Sequence, residues 1–181
     1  MSSLGRTIYI NSTNQVKVEG LEDLTEVAQT FISNATCKFS LCMSDVVDGL
    51  SGALVDKGDG LVGIPAIAHG VTASTIRILG TNNIDGEYAL HSSTSVDELV
   101  ITVSYAAEVI TLNARIFGCF SDATAISLVY VTDSDGDYVG TVPSTIDLIA
   151  DVVYKGFISI VDGVGNVKLL LIEFKAAYAE I

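Results

Sequence analysis

Apolar and polar residues alternate with a period of two along most of this chain, and clusters of Asp, Asn and Gly break the alternation every few positions. That texture predicts short β-strands joined by turns. The clearest case runs from 126 to 142. Ile126, Leu128 and Tyr130 fall on one face, Ser127, Val129 and Val131 on the other, and a polar knot ends in Asp135-Gly136 before Tyr138 to Val142 returns. Asp-Gly tolerates positive φ at low cost, so this pair predicts a tight hairpin. Ala35 to Met43 alternates in the same way, with Cys37, Phe39, Leu41 and Met43 against Lys38, Ser40, Cys42 and Ser44. It reads as a strand with one buried and one solvated side.

Taken in order, Arg6 to Ile10 predicts a strand, Asn11-Ser12-Thr13-Asn14 a turn, and Val16 to Val18 its hairpin partner. Between Glu19 and Thr30, the spacing of Leu21, Leu24, Val27 and Ala28 allows either a turn or two of helix or a loop. Asp45 to Gly60 is rich in Gly and Asp and predicts a domain junction. A second β unit follows, with strands at Leu61 to Ile64, Thr75 to Leu79, Glu87 to Leu90 and Glu98 to Tyr105. Its turns fall at Ala68-His69-Gly70, Gly80 to Gly86 and His91 to Asp97. Strands are also expected at Ala114 to Phe120 and Val152 to Val161, and the Asp162-Gly163-Val164-Gly165-Asn166 turn leads into Val167 to Ala176. Because Val167 to Ile172 is apolar at nearly every position, that strand is expected to be buried on both faces or covered by a partner. The fold class is all-β.

Charge narrows the choice of partners. The 181 residues carry 22 acidic and 9 basic side chains, a net charge of −13. Such a surface repels phosphate backbones and anionic lipid, which argues against direct nucleic-acid or membrane binding. Although 49% of residues are hydrophobic, no apolar run approaches the roughly 20 residues that span a bilayer. Met1 to Ile10 has no long apolar segment after Arg6, so a signal peptide is not expected and synthesis is assigned to the cytoplasm. An apolar composition on an acidic chain also suits a subunit that buries further surface in an assembly. The cysteines, Cys37, Cys42 and Cys119, are odd in number. Cys37 and Cys42 point to opposite faces of one strand and cannot pair with each other. All three are expected to be buried thiols in a reducing compartment.

No set of residues reads as catalytic. Asp133, Asp135 and Asp137 alternate within one turn, but Gly136 falls fourth and Ser144 twelfth, where an EF-hand loop needs Gly sixth and Glu twelfth. These aspartates are expected to cap turn N–H groups. His69 and His91 have no Cys or acidic residue at metal-ligand spacing, and His69 is expected to stabilise its corner. Glu87, Glu98 and Glu108 could form a glycosidase carboxylate pair, but aromatics are only 7% of the chain and Trp is absent, so they read as solvated strand ends. Gly163-Val164-Gly165 lacks the lysine and the strand–loop–helix setting of a phosphate loop. No cofactor or metal is expected, and the chain reads as non-enzymatic.

Several stretches together resemble tailed-bacteriophage virion structural proteins with an immunoglobulin-like β-sandwich. These are Ile8-Tyr9-Ile10-Asn11 through Val16, Glu19-Gly20-Leu21-Glu22-Asp23-Leu24, Ser33-Asn34-Ala35-Thr36, and Tyr130-Val131 through Asp135-Gly136-Asp137-Tyr138, Gly140-Thr141 and Pro143. Residues 60–110 resemble a separate small phage β-module. Its marks are Ala68-His69-Gly70, Ile78-Leu79-Gly80-Thr81-Asn82, Asp85-Gly86-Glu87-Tyr88 and Tyr105-Ala106-Ala107-Glu108. The resemblance implies an Ig-like antiparallel β-sandwich from residues 1–45 and 113–181, with a small β-barrel or sandwich module inserted at 46–112. The outer domain resumes near Leu112 or near Ala125. The chain departs from the pattern in two ways: the second module is inserted inside the first, and the usual Trp-containing strand between them is altered, since the chain has no Trp. The implied role is a capsid decoration (cement) protein, a homo-oligomer in the virion that binds the major capsid protein or other virion proteins after synthesis in the bacterial host cytoplasm. A head–tail connector, neck, tail or fibre component is the alternative, and a carbohydrate- or cell-surface-binding module the second. The expected contact residues are Thr7, Tyr9, Val167, Leu169 and Leu171.

Overall fold

The structure, a computed structural model, describes residues 6–23, 30–47, 50, 52–66, 69–110, 114–165 and 167–179. Among these residues, seventeen strands follow in chain order. They begin with β1 (Arg6–Tyr9), β2 (Asn14–Val18), β3 (Glu22–Asp23), β4 (Thr30–Phe31), β5 (Thr36–Val47) and β6 (Gly52–Ala53). Next come β7 (Val55–Gly58), β8 (Leu61–Pro65), β9 (Thr75–Leu79), β10 (Gly86–Ala89), β11 (Glu98–Thr102) and β12 (Val109–Ile110). The last are β13 (Arg115–Cys119), β14 (Ile126–Tyr130), β15 (Tyr138–Val142), β16 (Val153–Val161) and β17 (Val167–Ala177). The fold is all-β, with several sheets and one short 3-10 turn at Ser121–Ala123. Residues 24–29, where a turn of helix was an option, lie outside the described residues, as does Ala68 of the predicted corner.

The chain divides into two compact units, Met1–Leu41 with Asp122–Ile181, and Cys42–Ser121. In the first, β1, β17, β16 and β5 lie side by side, β2, β15 and β14 form a second layer, and β14 also pairs with β5. A β3–β4 ribbon completes it. Buried residues from both layers, Ile8, Val16, Cys37, Phe39, Leu41, Leu128, Tyr138, Ile158 and Phe174, make a sandwich-type core. At its centre the Phe39 and Phe174 rings meet edge to face, 5.9 Å between centroids. Gly156 permits this: a Cβ there would lie 2.7 Å from the Phe39 ring and collide with Phe174.

Pairing departs from the sequence expectation in this unit. β1 does not form a hairpin with β2; it runs parallel to β17, and β2 pairs with β15. Asn11 at φ 54° turns the chain between them, and the Asn14 side chain accepts from the Tyr9 N–H and donates to the Tyr9 carbonyl. The β14–β15 connection is not a tight Asp-Gly turn. The last rung, Tyr130↔Tyr138, is followed by a Val131–Asp137 hydrogen bond, so the loop holds Asp133 at φ 61° and Gly136 at φ 78°. Gly136 is needed because a Cβ would press against the Leu21 backbone, whose N–H donates to the Gly136 carbonyl. The predicted faces of β14 hold: Leu128 is buried while Ser127 and Val129 are exposed. Among the described side chains, β5 keeps a solvated side only at Thr36 and Lys38, because Ser40 is buried, its hydroxyl accepting the Ala125 N–H at 2.9 Å, and Cys42 is buried beyond it; the Ser44 side chain lies outside the described residues.

In the second unit, the end of β5 pairs with β13, then β9, then the β9–β10 hairpin. The remaining strands form a β11-β8-β7 sheet and a β6–β12 pair. The Gly/Asp-rich stretch expected to be a junction therefore contributes strands, its Asp59 (φ 53°) and Gly60 (φ 74°) turning β7 into β8. The core is aliphatic: Leu50, Val62, Ile64, Ile76, Ile78, Leu99, Ile101 and Ile116 are closed off from solvent.

The cysteines correct the expectation of three reduced thiols. Cys42 and Cys119, directly opposite in the β5–β13 register, form a disulfide. Sequence spacing revealed only which pair could not form. Cys37 alone is free, and burial pushes its thiol up to about 11.

Candidate docking surface

Among the described residues of the first unit, the last hairpin carries the most exposed apolar side chains. Asp162 builds its turn, its carboxylate accepting the Val164 N–H at 3.0 Å and its carbonyl the Gly165 N–H at 3.1 Å, with Gly165 at φ 92°. Val164 projects at the tip. Along β17 the period of two then divides the residues between faces. Phe174 and Ala176 point into the core, whereas Val167, Leu169 and Leu171 are 72%, 40% and 49% exposed. Within the chain itself, then, this strand is not buried on both faces.

Among the described residues, its outer edge is also open. β1 pairs only with Phe174–Ala177, and no described strand covers Val167–Glu173 on that side. Backbone N–H and C=O groups there accompany an apolar side-chain row, the combination that folded proteins ordinarily blunt. The rung register puts Thr7 opposite Lys175 and Tyr9 opposite Ala177. All five sequence-selected residues, Thr7, Tyr9, Val167, Leu169 and Leu171, therefore share one face. They fall at its two ends, roughly 20 Å apart at the strand rise, separated by the Lys155–Glu173 and Lys175–Asp151 ion pairs. At the β1 end, Thr7, Tyr9, Ala177, Tyr178 and Ala179 line an open pocket of about 380 Å³. Tyr178, 67% exposed, and Val164 were missed from sequence because each lies just outside the predicted strand Val167 to Ala176.

The other candidates have structural work. Asp137 accepts the Gly20 N–H at 3.1 Å and pairs with Lys17 at 2.9 Å, which holds its carboxyl below the usual aspartate range. Among the described residues, no group of three or more His, Cys, Asp or Glu side chains is arranged to hold a metal ion. His69 clamps its corner, its Nδ1 accepting the Val71 N–H at 2.9 Å and its Nε2 lying 2.7 Å from the Ser95 carbonyl. His91 Nδ1 binds Ser93. The three glutamates do not converge: Glu87 pairs with Arg77, Glu98 with Lys57, and Glu108 accepts the N–H groups of Asn82 and Asn83. Among the described residues, no helix is long and apolar enough to cross a membrane. Comparison with protein-family models, with curated proteins and with solved structures finds no match to this chain.

Proposed function

We propose that this chain is a non-enzymatic capsid decoration protein of a tailed-bacteriophage virion, an Ig-like sandwich with an inserted β-module. The open edge of β17 carries the reading. A strand that leaves Val167, Leu169 and Leu171 in water beside backbone that no described strand pairs gains stability when a neighbouring subunit covers it. Strand addition satisfies the backbone groups while the apolar row supplies buried area. A protein that binds only the assembled shell stabilises that shell by mass action, so many weakly held copies resist internal pressure together. The net charge of −13 disfavours packaged DNA as the partner and a protein shell satisfies it. Two features support the Ig-like assignment: the two-layer core, and Tyr154 at the start of β16, whose hydroxyl accepts the Ile149 N–H at 2.8 Å in the manner of a tyrosine corner.

The test is the number of copies per major capsid protein in purified particles, by quantitative mass spectrometry. A shell-wide stoichiometry is expected, with Leu169→Lys and Leu171→Lys lost from particles yet folded by circular dichroism. A count of about a dozen or fewer per particle would assign the chain to the neck or tail, and absence from particles would end the virion reading. One observation favours a cell-surface-binding module instead: Tyr9 and Tyr178 flank an open pocket. Saccharide binding that is lost in Tyr178→Ala would support it.

A further inference from the structure

We infer that the Cys42–Cys119 disulfide is a mechanical latch that takes the chain between these two residues out of the path of tension. The unit it serves begins at Cys42 and ends at Ser121, so the bond joins the strand that enters it to the strand that leaves it. The sequence separation is 77, and the whole aliphatic core, from Leu50 to Ile116, falls inside the covalent loop. The bond also stands where pulling would otherwise begin its damage. Tension entering at Cys42 and leaving at Cys119 would part β5 from β13 at one end, breaking the rungs to Phe117 and Ile116 one after another instead of together. A covalent bond at the first rung prevents that sequence from starting.

Closing the latch is an oxidation. The two thiols give up two protons and two electrons, and a small-molecule disulfide accepts them and departs as two thiols. Once closed, the bond is shielded, because Cys42 and Cys119 are both buried. Cys37 is a poor attacker: it lies on the opposite face of β5, and burial keeps it protonated. The inference does not depend on the particle role.

The experiment is single-molecule stretching of the full chain between its termini, with and without dithiothreitol. The oxidised chain is expected to unravel to a final length shorter by about 270 Å than the reduced one, the extended span of the locked loop. A Cys42→Ala/Cys119→Ala variant should match the reduced chain, and Cys37→Ala the wild type in both states. Equal final lengths for oxidised and reduced wild type would overturn the latch, as would peptide mapping that links Cys37. The wild-type comparison stands even where the double variant does not fold.

Discussion

The hydroxyl of Tyr138, on a ring only 1% exposed, accepts the Ala35 N–H at 2.9 Å and donates to the Ile32 carbonyl at 3.0 Å. One side chain thus ties down the approach to β5, and the Tyr130 ring, 5.5 Å away, packs against it. Tyr138→Phe keeps the ring and strands both backbone groups, so urea unfolding should show a loss of about 1–3 kcal/mol. Asp137 and Lys17 give a different signature. The Lys17 hydrogen bond, with help from the Gly20 N–H, lowers the Asp137 carboxyl below its unfolded value, so this stabilisation is present above that value and is lost as pH falls through the folded one. Its bonds to Glu19 and Asp137 raise Lys17, whose share is full below its unfolded value and lost as pH rises through the folded one. The stability gap between wild type and Asp137→Asn should therefore be flat from roughly pH 5 to pH 9 and close on acidification below about pH 4. A gap unchanged at pH 2 would remove the pair from the account. The types of these residues were legible as turn and strand, but their partners were not. Ala35 and Ile32 lie 103 and 106 residues from Tyr138, and Gly20 lies 117 from Asp137.

At the scale of elements, β17 holds two environments in one strand. Phe174 closes the core against Phe39 and Tyr154, while Leu171, three residues earlier and on the other face, meets water. Phe174→Ala should cost about 3–5 kcal/mol through lost burial and the cavity left behind. Leu171→Lys should stay within about 0.5 kcal/mol in the isolated protein. Thermal unfolding of the two variants reads the contrast, and equal losses would mean that the outer face is already covered. Continuous hydrophobicity concealed this division, since Val167 to Ile172 offers no polar residue on the exposed face to mark it. Where polar residues do alternate, as in β14, the faces were read correctly.

For the molecule as a whole, the disulfide is a contribution that sequence reading omitted. In the chain-entropy account, closing a loop of this length stabilises the folded state by about 4.5 kcal/mol. Dithiothreitol added at equilibrium in moderate urea should remove that amount from the Cys42–Ser121 unit, and Cys37→Ala should leave it in place. Unfolding curves that overlay with and without reductant would refute the contribution. A cysteine pair separated by 77 residues has no local sign, because its partner is set by the β5–β13 register and not by spacing.

Alternation and turn residues by themselves determined the all-β class, the places where most strands start and stop, and the inward faces of β5 and β14. Those properties depend on neighbours within a few positions, and a period of two encodes them directly. Only the tertiary structure decided that β1 runs beside β17 instead of β2, that β8 pairs with both β7 and β11, that Cys42 meets Cys119, and that no described strand pairs with the outer edge of Val167–Glu173. Each of these is a choice among strands that are locally equivalent. The choice is made by which side chains fill the same core, and that competition runs between residues far apart in the chain.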